Sequence, residues 1–219
     1  TAIPAEQFSF VRNPYFHRID ENGRQLPYVD EVTMTIGSAA LIPAKTAAGD
    51  SDLQARYLRF EDYTFLKGAA KRMNFEVRLW KRAEGASFAL MPNLNAIDPI
   101  WRDLNRDVRY RRALSLAINR RDINRVIFFG LAKESGNTAL PESPLYDAAL
   151  AQLNMTPDLA EANRLLDQIG LSKRDGEKIR LFPDGRRLEF TVETAGASTE
   201  ETDILDLIKQ DFVAIGIKI

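Results

Sequence analysis

The side chains with the clearest capacity for chemistry are eight arginines between residues 102 and 125. A cluster of guanidinium groups can bind phosphates through paired, charge-assisted hydrogen bonds, so it first indicates a nucleic-acid interface. The pattern predicts two short helices joined by a tight turn, as in a helix-turn-helix. The arginines are Arg102, Arg106, Arg109, Arg111, Arg112, Arg120, Arg121 and Arg125.

Other features of the same stretch argue against DNA binding. Asp103, Asp107 and Asp122 are interleaved with the arginines, and the whole chain has a formal net charge of -1. A recognition helix needs an exposed polar face, whereas the second helix is rich in apolar residues suited to burial. These are Ile123, Val126, Ile127, Phe128 and Phe129. We therefore predict a structural role for the segment and no nucleic-acid partner.

Catalytic and metal-binding chemistries have few residues to support them. The chain has no cysteine and one histidine, His17, which follows Asn-Pro-Tyr-Phe at a predicted turn or strand edge. One histidine supports no two-histidine metal site, and no nucleophile motif or glycine-rich phosphate loop accompanies it. Acidic turns at residues 20–23 and 174–176 lack the alternating oxygen ligands of a calcium loop. We therefore expect no enzyme activity, no cofactor and no metal.

Composition sets the broad class of protein. The 219 residues are 45% hydrophobic and 28% charged, which is typical of a soluble globular protein of one large or two small domains. No apolar stretch approaches the roughly 20 residues that span a bilayer, and the N-terminus lacks a signal-peptide pattern. Residues 217–219 predict the start of a strand after a glycine, so we expect both ends to be internal to a longer chain.

In the first part of the chain, alternating apolar residues predict three strands. Residues 32, 34 and 36 alternate with threonines, which predicts a half-buried strand, and residues 75–80 show the same period of two. The apolar run at residues 87–91 predicts a central strand. Residues 39–48 predict a helix that ends at Gly49, with Pro43 either in its first turn or at a kink.

After Met91 predicted helices dominate, and we place a domain boundary near Pro92, giving domains 1–91 and 92–219. A helix pair is predicted over 107–130, because Asp107 and Asn119 are suited to cap its two helices. Helices are also predicted over 157–170, with Thr156 as the cap, and over 199–215, where Ser198 and Glu201 form a capping box. The strand predicted over 186–194 precedes that last helix, an order that favours parallel pairing with a following strand.

Eight segments together resemble one protein family. DVRYRRALSLAINRRDINRVIFFG, residues 107–130, closely resembles the "VRQALNYAID" helix pair of the bacterial extracellular solute-binding proteins of the oligopeptide and dipeptide type, family 5, which feed ABC importers. RNPYF from Arg12 and LPYVDEV from Leu26 resemble the family's "RNPxYW" and "LPYIDEI". SFALMPNLN from Ser87 resembles the strand that enters the second lobe. Downstream, ALPESPLY, TPDLAEANRLLDQIGL, PDGRRLEFTVET and DLIKQDFVAIGIKI follow in the family's order. Phe16 departs from the pattern, since tryptophan is usual there.

The resemblance implies an α/β fold of the two-lobed, periplasmic-binding-protein-like kind, type II, peptide-binding class. Part of the first lobe would lie in residues 1–91 and part of the second in 92–219. It also implies capture of an oligopeptide or similar small solute in a cleft that closes like a hinge, followed by docking to a membrane permease. The location would be periplasmic or extracytoplasmic. Two alternatives stay open: a binding protein for oligosaccharide, and a ligand-sensing module of a transcription regulator.

Four residues are candidate ligand contacts. Asn93 and Asn95 could present amides to a cleft ligand, or they could only form strand-end hydrogen bonds. Trp80 and Trp101 could stack on a sugar ring or a peptide side chain, or they could pack in the core. The ligand residues best known in the family are expected after residue 219. We therefore carry none of them over, and we expect the isolated chain to bind little ligand.

Overall fold

The computed structural model describes residues 6–80, 84–196 and 199–219, which divide into two units, Thr1–Leu79 and Trp80–Ile219. Residues 80–91 belong to the second unit, because Phe88 and Leu90 pack against its hydrophobic core. The boundary between the two units, after Leu79, lies earlier in the chain than the lobe boundary predicted near Pro92. The assignment of residues to lobes stays a prediction.

The first unit contains an antiparallel hairpin of β1 (Gln7–Val11) and β2 (Glu31–Thr35). Phe8 lies opposite Met34 and Phe10 opposite Val32, so the apolar side chains share one face. The sequence predicted β2 but not β1, although β1 shows the same alternation. The expected half-burial of β2 is wrong for this chain: Val32 is 52% exposed and Met34 is 48% exposed.

Two helices make the small core of the first unit. A 3-10 turn, Ala39–Leu41, leads into α1 (Ile42–Ala48), and a second, Phe60–Asp62, leads into α2 (Tyr63–Met73). The predicted first helix is confirmed, with Pro43 in its first turn and Gly49, at φ 84°, as its C-cap. The strand predicted over residues 75–80 does not form. Phe75 and Val77 instead pack on a core of three buried residues: Ala47, Leu66 and Ala69.

The second unit is mainly helical. Its helices are α3 (Pro99–Arg106), α4 (Val108–Ala117), α5 (Arg120–Ile127), α6 (Ala148–Gln152), α7 (Leu159–Gln168) and α8 (Thr199–Ala214). Helix α4 packs mainly on α7 and also meets α3 and α8, while α5 packs on α8. Tyr110, Leu166 and Phe212 are fully buried where these helices meet. Burial of these large side chains is the main stabilising contribution to the unit.

Capping side chains confirm the helix pair predicted over residues 107–130. The Asp107 carboxylate accepts a hydrogen bond from the Arg109 backbone N–H at 2.8 Å and begins α4. The Asn119 side chain accepts from the Asp122 N–H at 3.2 Å and donates to the Asp122 carboxylate at 2.6 Å, which begins α5. Gly130 follows α5 with a φ of 75°. Both caps are the ones predicted, because each depends only on residues within one turn.

Helix α7 begins later than predicted. Its N-cap is Asp158 and not Thr156: the Asp158 carboxylate accepts from the Glu161 N–H at 2.9 Å. The Asp158 N–H donates to the Leu116 carbonyl at 2.9 Å, so a contact with α4 determines where this helix starts. Helix α8 is confirmed with its predicted apolar face buried. Ser198, its predicted cap, lies outside the described residues.

The strands predicted in the second unit are not continuous ladders. Over residues 186–194 only isolated bridges form, antiparallel between Leu181 and Arg187 and parallel between Glu189 and Lys218. The parallel bridge spans α8, as the predicted strand, helix, strand order requires. Within the described chain, the backbone of residues 87–91 has no backbone hydrogen bond, although Phe88 and Leu90 face the core. The alternation therefore predicted which side chains are buried but not the strand pairing.

A buried arginine joins the ends of two helices in the second unit. Arg180 is 1% exposed and donates to the Ile215 carbonyl at 2.7 Å, beyond the end of α8. It also donates to the Leu171 carbonyl beyond α7, to the Asn163 side-chain oxygen at 2.7 Å and to the Asp167 carboxylate at 2.5 Å. The Ile215 and Leu171 carbonyls have no backbone donor in the described chain, so this side chain satisfies groups that would otherwise be buried without partners.

Candidate functional site

A groove in the second unit runs between α5, α8 and the extended segment at residues 85–90. Its cavity volume is about 190 Å³. Apolar side chains from all three elements form its walls: Phe88, Leu90, Ile123, Ile204 and Ile208. A concave, largely apolar surface with a few polar groups is the usual form of a small-molecule site, although this one is smaller than most.

Arg120 is the half-buried cation of this groove. It is the first residue of α5, and its guanidinium donates to the Ser115 carbonyl and to the Ser115 hydroxyl, each at 2.9 Å. Burial lowers the pKa of the Arg120 guanidinium from its ordinary value. Within the described chain no carboxylate forms an ion pair with it. A partly desolvated cation without a counter-ion is costly, so this position favours an anion.

Asn124 fixes the loop that closes one side of the groove. Its side-chain nitrogen donates to the Ala132 carbonyl at 3.0 Å and to the Glu134 carboxylate at 3.2 Å, while its oxygen accepts from the Ala132 N–H at 3.0 Å. This clamp places Lys133 and Glu134 along the groove. We did not predict these residues. Arg120 and Asn124 are polar residues on the core-facing side of α5, and that position is the feature that could have identified them.

The structure places the two predicted asparagines in a local turn. The Asn93 side chain accepts from the Asn95 N–H at 2.9 Å, and the Asn93 carbonyl accepts from the Asn105 side chain at 2.9 Å. The Asn95 side-chain oxygen accepts from Arg106 at 3.1 Å. Both asparagines are exposed and neither lines the groove. These contacts match the structural alternative, and ligand contact by either residue stays a prediction.

The two predicted tryptophans differ in their surroundings. The Trp101 ring packs edge-on against Phe182 and Phe190, with ring centroids 5.0 Å and 5.7 Å apart, at the margin of the core. Trp80 is 74% exposed, so its ring is available for stacking. Neither lines the groove. A ligand role for each stays a prediction.

Two further features of the described residues bear on the class of site. Among the residues that the structure describes, no group of three or more histidine, aspartate or glutamate side chains is arranged to hold a metal ion. None of the described helices has both the length and the apolar character needed to cross a membrane.

The sequence model of the bacterial extracellular solute-binding proteins, family 5, middle region, matches residues 2–219. The chain belongs to this family. Among solved structures, the oligopeptide-binding protein OppA is 33% identical with a TM-score of 0.72, and the match covers 100% of this chain and 35% of that one. The stachyose complex of MelB from Agrobacterium fabrum is 23% identical with a TM-score of 0.66, covering 100% of this chain and 34% of that one.

A curated relative adds a different ligand class to the comparison. The periplasmic alpha-galactoside-binding protein of Rhizobium meliloti is 24% identical over 193 residues, which are 80% of this chain and 26% of the relative. The family 5 chain thus spans between about a quarter and a third of these proteins. The predicted fold class is confirmed: type II periplasmic-binding-protein-like, of the peptide-binding class, with only part of that architecture in this chain.

Proposed function

We propose that the complete protein is the solute-binding component of an ABC importer, which captures an oligopeptide or a similar small solute outside the cytoplasm and delivers it to a membrane permease. The match of the family 5 model over residues 2–219 carries this proposal. The 33% identity to OppA supports a peptide as the ligand. Reversible binding without covalent chemistry is consistent with relatives that are named as binding proteins.

Capture by a two-lobed protein works through a shift between open and closed states. A ligand that contacts both lobes binds the closed state more tightly and therefore increases its population. A permease that contacts both lobes would then distinguish the loaded protein from the empty one. The second unit suits the role of one rigid lobe, because its helices share a continuous core.

A second candidate ligand is an oligosaccharide. The names of the alpha-galactoside-binding relative and of the stachyose complex favour it. Sugar rings commonly stack on aromatic side chains, and Trp80, at 74% exposure, offers such a surface. This candidate and the peptide make opposite predictions for the same binding assay.

The test uses the family-length protein, unfolded and refolded to remove bound ligand, in a thermal-unfolding assay with short peptides and with galactosides. A ligand at about one hundred times its dissociation constant stabilises the native state by about 2.7 kcal/mol, which raises Tm by about 2 °C for a protein of roughly 600 residues. We expect this shift with peptides. A shift with galactosides alone would select the second candidate, and no shift with either class would overturn the proposal.

A substitution tests the predicted ligand contact at Trp80. If Trp80 stacks on the ligand, Trp80→Ala should weaken binding about tenfold, since an aromatic contact contributes about 1 kcal/mol or more. Ile97→Ala is a matched control, because Ile97 is a 97% exposed apolar residue of the same unit with no predicted role. Equal affinities of the two variants would remove Trp80 from the site.

A further inference from the structure

We propose that the groove between α5, α8 and residues 85–90 binds a small apolar carboxylate, with Arg120 holding the negative charge. The residues that carry this proposal all lie in the second unit. The site therefore goes beyond the proposed solute capture, which needs the complete protein.

Arg120 has hydrogen-bonding capacity left for a ligand. A guanidinium carries five N–H donors. The contacts within the described chain go to the Ser115 carbonyl and hydroxyl at 2.9 Å and, more weakly, to the Ile118 carbonyl at 3.5 Å. They use the two terminal nitrogens and leave Nε without an acceptor. A carboxylate in the groove could accept from this edge and would supply the missing counter-ion.

Other groups around the groove also favour an anion. Lys133 adds a second cation, while Glu134 is the acid among the lining residues and already accepts from Asn124 at 3.2 Å. Backbone N–H groups of residues 86–90 have no backbone acceptor in the described chain, and the carbonyls of the same residues have no backbone donor, so this segment can donate to a ligand without favouring one charge. The exposed Ser87 hydroxyl lies on the same segment. The lining therefore has two cations and one carboxylate among its charged side chains.

The walls and the volume indicate the rest of the ligand. The cavity of about 190 Å³ is smaller than most small-molecule sites, which favours a short ligand. That space suits a carboxylate with a short branched chain. Ile123, Ile204 and Ile208 would cover the chain, and its burial would contribute favourably. A sugar would instead leave hydroxyl groups against these apolar walls. The same chemistry could come from a free short-chain acid or from the C-terminal residue of a peptide.

The first experiment varies the ligand and leaves the protein unchanged. The 219-residue chain is titrated by NMR with 3-methylbutanoate and with 3-methylbutanamide, which has nearly the same shape and no charge. We expect the acid to bind at least about tenfold more tightly, because the charge-assisted hydrogen bonds to Arg120 are weakened with the amide. Equal affinities, or no binding of the acid, would overturn the proposal. Glycyl-leucine is titrated in the same way. Tighter binding of glycyl-leucine than of 3-methylbutanoate would identify the C-terminal residue of a peptide as the ligand, and the reverse order would identify a free short-chain acid.

The second experiment varies the protein. Arg120→Gln should weaken binding of 3-methylbutanoate by at least about tenfold. Arg121→Gln is the matched control, because Arg121 is the next residue, is exposed and does not line the groove. Equal effects of the two substitutions would overturn the proposal. If Arg120→Gln unfolds through loss of its bonds to Ser115, the comparison of acid and amide on the unaltered chain still tests whether the groove prefers a carboxylate.

A third measurement repeats the titration on the family-length protein. Binding that is retained there supports the site. Binding that disappears would overturn it, because another segment of the polypeptide would then occupy the groove. The thermal-unfolding assay with peptides and galactosides is separate, so solute capture and carboxylate binding can fail independently.

Discussion

The two units of this chain bury very different amounts of apolar surface. Sixteen described residues form the buried core of the second unit, whereas three form that of the first. The first unit does not lack apolar residues: Phe10 is 55% exposed and Ile36 is 51% exposed on or beside the β1–β2 hairpin. An apolar face stabilises a unit only when a second layer covers it. In the second unit α4, α7 and α8 provide such layers for one another.

Polar contacts differ between the units in the same way. In the first unit they join residues close along the chain, as where Gln25 donates to the Pro14 and Phe16 carbonyls at 2.8 Å. In the second unit Arg180 joins residues as far along the chain as Ile215. A buried contact between distant segments restricts many more chain conformations than a contact within one loop. The second unit should therefore unfold as one cooperative body.

Hydrogen exchange on the whole chain should show the largest difference. Amides of α4 and α7 should exchange at least about a thousandfold more slowly than the cross-strand amides of β1 and β2, because core helices open only with global unfolding. Mass spectrometry of peptic fragments measures this. Comparable protection of the hairpin would contradict the contrast between the two units.

Removal of the Arg180 guanidinium should give the largest effect of a single substitution. Arg180→Met keeps most of the aliphatic volume but leaves the Ile215 and Leu171 carbonyls without donors, at a cost of about 3 kcal/mol. Urea unfolding followed by circular dichroism measures the loss. Arg164→Met is the control, because Arg164 forms an exposed ion pair with Glu161 that contributes about 0.5 kcal/mol or less. Equal losses in the free energy of unfolding would show that the buried contacts of Arg180 contribute no more than an exposed ion pair.

A pair of glycines tests how tightly the same region is packed. Gly216 has a φ of 81°, and a Cβ there would lie 2.9 Å from Cγ of Arg180 and 2.9 Å from the Lys178 carbonyl oxygen. Gly170 has a φ of 88° with no atom within 4 Å of its Cβ position. Both alanine substitutions should cost about 1–2 kcal/mol of backbone strain. Gly216→Ala should cost about 1 kcal/mol more because of the close contacts, by the same urea assay. A smaller cost at Gly216 than at Gly170 would refute this packing.

The smallest expected effect is a pH dependence at the start of α4. The hydrogen bond from Arg109, opposed by partial burial and aided by the Arg109 backbone N–H, lowers the pKa of the Asp107 carboxyl. The unfolded state therefore binds a proton more readily than the folded state. This stabilisation is present above the unfolded pKa of about 3.9 and is lost as the pH falls through the lowered folded pKa.

Asp107→Asn keeps the cap acceptor and removes the charge. We expect it to cost less than about 1 kcal/mol at pH 7, with the difference from the unaltered chain vanishing near pH 2. Urea unfolding at both pH values measures it. In an Arg109→Gln background Asp107→Asn should have little further effect, and a full effect there would show that Arg109 is not the cause.

Short-range features of the second unit were predictable from sequence. The caps at Asp107 and Asn119 and the buried face of α8 each follow from residues within a few turns of one helix. The start of α7 was predicted wrongly, since Asp158 is held by the Leu116 carbonyl on α4. The strands predicted over 75–80 and 87–91 do not form, and only isolated bridges form over 186–194, because a strand needs a partner that its own residues cannot specify.

The residues that line the groove also could not be predicted from local sequence patterns. The motifs identified the family, and the family model over residues 2–219 agrees. The predicted contacts Asn93 and Asn95 came from residue type and position along the chain, while Arg120, Asn124 and Lys133 meet only because α5 and the following loop fold back together.

The sequence alone determined the family, the helix pair at residues 107–130 and the apolar faces, because periodicity and capping are local properties of the chain. Only the tertiary structure decided which apolar faces are covered, that Arg180 is buried, and that Arg120 lies half-buried beside a cavity with no carboxylate partner among the described residues. Burial and ion pairing depend on segments that are distant in sequence, so no local pattern encodes them.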